Sequence, residues 1–185
     1  MRDALLAAGL ALAVAAPPAL AQQAPAAAAP SAPAPAAAAP AQGEVVRHRI
    51  PNSDFPIARA VEVPAGRTTV YVSGAVPPVV DATAPAEAVA RFGDTRTQTR
   101  GTLESIGRTL TALGLTHGDV VKMQVFLVGD PARGGRMDFA GFMEAYREFY
   151  GTVAQPNLPA RSVMAVAGLV NPGWLVEIEV TAVRP

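Results

Sequence analysis

The sequence predicts an α+β fold: a two-layer sandwich in which a six-stranded mixed sheet carries two helices on one face. Three observations predict it. Between residues 44 and 185, six short segments have the alternation or the apolar, β-branched composition of strands. Two longer segments repeat their apolar residues at helical spacing. The order that results, βββ-α-β-α-ββ, supplies too few helices to cover both faces of one sheet.

The elements follow in chain order. "EVVRHRI" (44–50) and "IARAVEV" (57–63) read as short strands, and "TTVYVSG" (68–74) as a stronger, alternating one. A Pro/Ala/Asp loop fills 75–93. Residues 94–114 read as a helix: Leu103, Ile106, Leu110 and Leu113 make one stripe, Asp94 or Thr95 can cap the start, and Gly114 ends it. "DVVKMQVFLV" (119–128) is the next strand. The loop "GDPARGG" (129–135) leads to a second helix over about 136–150. There Phe139, Phe142, Tyr146 and Phe149 share a face and read as helix-to-sheet core. The last strands, 160–169 and 174–183, are separated by the turn signal "VNPG".

The final strand is informative by face. Trp174, Val176, Ile178, Val180 and Ala182 make one apolar face; Leu175, Glu177, Glu179, Thr181 and Val183 make the other. The second face has too much apolar character to stand in water alone, so it is expected to be buried against other copies of the chain.

The chain has 185 residues, half of them hydrophobic and 16% charged, with zero formal net charge and no cysteine. A nucleic-acid binder needs a basic excess to neutralise phosphates, and none is visible, so no nucleic-acid partner is expected. The absence of cysteine excludes disulfides, thiolate zinc sites and cysteine nucleophiles. Residues 1–21 have a charged start, an apolar run from Ala4 to Ala16 and the small-residue site Ala19-Leu20-Ala21. This is the grammar of a cleaved secretory signal, which predicts a periplasmic or secreted protein. The run is short for a bilayer span, and no membrane span is expected in the mature chain. Residues 22–43 are Ala/Pro low complexity and predict a disordered tether. The folded domain is then 44–185.

Arg161 stands at the mouth of the apolar strand "ARSVMAVAGL", on one face with Val163. A guanidinium is built to grip a carboxylate with two parallel hydrogen bonds. Glu177 can move a proton or position a water. Together they could hold a small carboxylic acid and hydrolyse a bond beside its carboxylate. The alternative is an Arg–Glu ion pair at a subunit interface with no chemistry. A simple hairpin about Asn171-Pro172 would leave Arg161 and Glu177 ~16 Å apart along the strands. Either those strands are not neighbours, or the two side chains meet across a subunit boundary. Other candidates are weaker. Only two histidines occur, His48 and His117, and no metal site is expected. Ser73 lacks the strand-turn-helix context of a nucleophile elbow. "GDPARGG" fits no phosphate loop.

Four blocks lie in fixed order: "VYVSGAVP" (70–77), "QTRGTLESIGRTLTALGLTHGDVVKMQVFLV" (98–128), "DFAGFMEAYREFYG" (138–151) and "PARSVMAVAGL…LVEIEVTAVR" (159–184). They resemble the Rid family (RidA/YjgF type), whose founding members are enamine/imine deaminases. The resemblance implies a chorismate-mutase-like fold and a homotrimer with sheets facing inward and sites at the subunit interfaces. It implies that Arg161 holds the substrate carboxylate, that Glu177 handles the catalytic water, and that Ser73 and Gly74 line the pocket. The implied reaction is that of a 2-iminobutanoate/2-iminopropanoate deaminase-like hydrolase, giving a 2-keto acid and ammonia without cofactor or metal. A non-catalytic small-carboxylate-binding or chaperone-like trimer would use the same clefts. Three positions depart from the family pattern: Ile57 replaces a tyrosine, Val163 a cysteine, and Met143 an asparagine. The implied pocket is more apolar than in the founding members, which suits a more hydrophobic imino acid, or carboxylate binding without turnover.

Overall fold

The computed structural model describes residues 43–185; the expected signal segment and the Ala/Pro stretch up to residue 42 lie outside the described residues. Six strands form one sheet: β1 (Val46–Arg49), β2 (Ala58–Glu62), β3 (Thr69–Ala75), β4 (Val120–Val128), β5 (Ala160–Val166) and β6 (Val176–Val183). Two helices, α1 (Thr95–Ala112) and α2 (Phe139–Phe149), complete the α+β sandwich that the periodicities predict. The sheet order is β1-β2-β5-β4-β6-β3. β4 runs parallel to β5 and antiparallel to β6, so the sheet is mixed.

β4 therefore separates the last two strands, and "VNPG" turns a connection that crosses it instead of closing a hairpin. Asn171 makes the turn, its Oδ1 accepting from Gly173 N–H at 2.8 Å and its carbonyl from Trp174 N–H at 3.0 Å. Both strands are shorter at this turn than their apolar runs suggest. Leu169 and Trp174 are spent on the crossover, where Trp174 packs edge-on against Phe92.

One sheet face carries Val120, Met123, Val125 and Leu127 of β4 and Val176, Ile178, Val180 and Ala182 of β6, all buried. Leu103, Ile106 and Leu110 of α1 and Phe142 and Tyr146 of α2 complete the same core. The exposure is alternate along β4 and β6, as one covered face requires. The apolar stripe of α1 stops at Leu110; Leu113 caps the helix and is 39% exposed. α2 starts later than its apolar content suggests, because Asp138 accepts from Gly141 N–H at 3.0 Å and sets the first turn. Its aromatic core face is Phe142, Tyr146 and Tyr150, with the two tyrosine rings stacked at 4.9 Å. Phe139 and Phe149 sit at the margins of that face.

Of the two possible caps of α1, Asp94 does the work: its Oδ1 accepts from Thr97 N–H at 2.8 Å. That bond, joined by one from the Thr97 side chain, holds the Asp94 carboxyl below the usual aspartate pKa. Asp94→Ala is expected to cost about 1 kcal/mol in urea denaturation at neutral pH. A depressed folded pKa contributes stability above the unfolded value and loses it as pH falls through the folded one. The gap between wild type and variant should therefore narrow in acid.

Candidate functional site

Arg161 is the second residue of β5. It pairs with Met123 of the fully buried β4 row, which fixes its side chain on the helix-covered face of the sheet. There it meets α2 and the segment before β2. Its guanidinium carbon lies 4.1 Å from the Tyr146 ring centroid, 5.0 Å from Phe142 and 5.6 Å from Phe55. Nη2 donates to Met143 Sδ at 3.2 Å, a weak acceptor. Nε and Nη1 are buried and donate to no acceptor among the described residues. Burial lowers the arginine's pKa, and the neighbouring Tyr146 works against that shift. Tyr146 itself is pushed up to about 12 by burial, so its hydroxyl stays neutral and donates to Pro56 O at 2.9 Å.

A buried guanidinium with two unpaired donors is costly. Ring faces offset part of that cost, about 0.5–2 kcal/mol for each well-placed contact. They do not replace an oxygen acceptor, and a ligand carboxylate with its two oxygens in one plane would. Val163, next on the same face of β5, pairs with the buried Val125 and is half-buried against the core. Ile57 immediately precedes β2 and is half-buried; its N–H donates to Phe55 O at 2.8 Å.

Glu177 occupies a different place. It pairs with Phe126 in β6–β4 register, on the uncovered sheet face with Gln124, Glu179 and Thr181. A bulge interrupts β3 between Val72 and Ala75, the segment that contains Ser73 and Gly74. A Cβ built on Gly74 would overlap Glu177 Oε1. Glycine is therefore needed at 74 for the close approach of the carboxylate, not for an unusual φ. Gly74→Ala is expected to push the Glu177 carboxylate aside, with the fold intact by circular dichroism. Ser73 is exposed and borders a groove of ≈ 330 Å³ on the same face, shared with Tyr71, Lys122, Gln124, Glu179 and Thr181.

The expected residues thus form two half-sites. Ser73, Gly74 and Glu177 come together. Arg161, with Val163 on its face and Ile57 beside its Phe55 wall, forms the other. One chain does not join the halves. β4 lies between β5 and β6, and Arg161 and Glu177 point to opposite faces of the sheet. Of the two geometries left open by the spacing, the strands are indeed not neighbours.

Phe55 is the residue that sequence reasoning passed over. It lies in a polar loop and shows no periodicity; its aromatic character just before Pro56 is the one available signal. The histidines have structural partners. His48 pairs with Glu62 at 2.6 Å on the surface, and His117 Nδ1 meets the Tyr150 hydroxyl at 2.9 Å. Among the described residues no group of three or more His, Cys, Asp or Glu side chains could hold a metal ion, and no helix is long and apolar enough to cross a membrane.

Comparison with known proteins identifies the family. The family model described as Endoribonuclease L-PSP matches residues 41–184. TdcF of Escherichia coli K12, which carries the provisional name of a reactive intermediate deaminase, is 33% identical over 136 residues, 74% of this chain and 92% of that protein. A RutC family protein of Haemophilus influenzae is 35% identical over 138 residues, with the same coverage. The crystal structure of E. coli TdcF with bound serine superposes with a TM-score of 0.50 at 32% identity, covering 74% of this chain and 94% of that one. YyfB of Yersinia pestis, at 24% identity and a TM-score of 0.53, shares the fold over 74% of this chain and 96% of its own. With a family match across nearly all of the folded residues, and relatives about one-third identical along most of their length, the chain belongs to the Rid family of YjgF-type proteins.

Proposed function

We propose that the protein hydrolyses reactive imines and enamines of 2-keto acids, releasing ammonia, at sites shared between subunits of a homotrimer. The observation that carries this reading is Arg161, a buried guanidinium with two donors that no described residue accepts. The donors suit the carboxylate of a 2-imino acid.

The chemistry needs little else. An enamine first takes a proton on its β-carbon and becomes the iminium ion, the protonated form of the imine. Water adds to the imine carbon, and Glu177 accepts a proton from it as the C–O bond forms. The proton on Glu177 passes to the nitrogen of the resulting carbinolamine; the hydroxyl then gives its proton back to the carboxylate as the C=O bond forms and the C–N bond breaks, and ammonia leaves with the 2-keto acid behind. Arg161 holds the carboxylate throughout and keeps the imine carbon facing the water. No metal or cofactor enters these steps.

The opposed faces of Arg161 and Glu177 support a site shared between chains. The uncovered sheet face bears Tyr71, 82% exposed, and Met164, 37% exposed, beside Phe126. Covering such a face with another copy would remove apolar surface from water, and a head-to-tail contact that set it against the Phe55 side of the next chain would bring one chain's Glu177 toward another's Arg161. The ribonuclease in the family model's name gains no support from a chain of zero net charge. The leader read in residues 1–21 would put this chemistry in the periplasm or outside the cell, which N-terminal sequencing of the exported protein would test.

The test is a coupled assay. An amino-acid oxidase generates imines from a panel of amino acids, and keto-acid release is followed with wild type and Arg161→Ala. Acceleration by wild type alone supports the reading. Equal acceleration by the variant, or none by either from a confirmed trimer, rejects it.

A further inference from the structure

The Arg161 guanidinium is surrounded by carbon and sulfur. Phe142 and Tyr146 lie against the guanidinium from α2, Met143 offers its thioether, and Phe55 closes the outer side. None of these groups is an acid or an amide. A ligand held there by its carboxylate would set the rest of itself against rings and a thioether.

Phe55 differs from the other walls. Phe142, Met143 and Tyr146 belong to the core, buried to 7% exposure or less, whereas Phe55 is 36% exposed at the rim. Yet it is fixed in place. Its N–H donates to Ser53 Oγ at 3.2 Å, its carbonyl accepts from Ile57 N–H at 2.8 Å, and the next carbonyl, of Pro56, accepts from the Tyr146 hydroxyl at 2.9 Å. The loop is thereby tied to the same tyrosine that stacks under the arginine. An aromatic ring held at the rim of a charged site, with one face toward the guanidinium and surface left to cover, is a preorganised apolar contact for a ligand side chain.

We propose that Phe55 sets the substrate class of this site: 2-imino acids, and the 2-keto acids they yield, with branched aliphatic or aromatic side chains, in preference to those derived from alanine or serine. The inference rests on the reading of Arg161 as the carboxylate clamp. Each additional buried methylene contributes to affinity, so a leucine-derived acid should exceed its alanine-derived counterpart by at least about tenfold.

The experiment measures calorimetric binding of pyruvate, 4-methyl-2-oxopentanoate and phenylpyruvate to wild type, Phe55→Gly and Phe55→Leu. The corresponding imines are compared in the coupled assay. The expected result is at least about tenfold preference for the two larger acids in wild type, less than about threefold in Phe55→Gly, and an intermediate value in Phe55→Leu. A wild type that binds pyruvate as well as the larger acids overturns the side-chain inference and leaves the hydrolase reading intact. A preference that survives in both variants overturns the role of Phe55. Graded binding with no turnover of any imine supports Phe55 and overturns the hydrolase. No binding of any keto acid overturns both.

Discussion

Replacing Arg161 with alanine is expected to lower kcat/KM for imino acids by roughly 10²–10⁴-fold and to abolish measurable keto-acid binding. Truncating the buried charged partner of a carboxylate removes the hydrogen bonds and leaves the ligand's own charge unpaired. Arg161→Lys should recover little of the loss. An ammonium cannot make the two parallel bonds, and it lacks the plane that lies against Tyr146 and Phe142. The same position should show the reverse effect on stability. Without ligand, the arginine holds Nε and Nη1 buried and unpaired, so Arg161→Met is expected to leave the fold as stable as wild type or more so in urea denaturation. Lost binding with retained or raised stability is the signature of a residue kept for its ligand. Equal losses in both would mark Arg161 as structural.

Glu177→Gln is expected to act on the other side of the reaction. Its kcat should fall by about 10²–10⁴-fold, while keto-acid binding measured by calorimetry changes by less than about threefold. Glutamine keeps the shape that fits against Gly74 and loses the capacity to accept the water's proton. The contrast with Gly74→Ala is useful, since that variant keeps the carboxylate and displaces it. A fall in both variants ties turnover to the placement of the Glu177 carboxylate and to its charge.

Part of this arrangement is legible in the sequence. Arg161 stands out because it opens an apolar strand, and the alternation of β6 separates Val176, Ile178 and Val180 from Glu177 and Glu179. What alternation cannot give is which face a strand turns toward the helices, since a period of two is the same from either side. Arg161 and Glu177 therefore look like partners until β4 is seen between their strands. That insertion depends on pairing between distant segments, which no local signal encodes. The "VNPG" turn, locally a hairpin signal, serves a crossover for the same reason. The close fit of Gly74 against Glu177 has a sequence cue in the strand-end Ser-Gly, but its cause is a tertiary contact. Phe55 leaves almost no cue, because a single aromatic residue in a loop has neither period nor partner until the chain folds.

In the proposed mechanism Arg161 of one chain and Glu177 of another make one hydrolytic site. Its most direct test is complementation: Arg161→Ala and Glu177→Gln chains are co-expressed, mixed trimers are isolated, and imine hydrolysis is measured. Each homogeneous variant should be nearly inactive. In a mixed trimer of either composition one of the three interfaces pairs an intact Arg161 with an intact Glu177, so activity should return to about a third of wild type. Mixed trimers that stay as inactive as either parent would contradict the shared site.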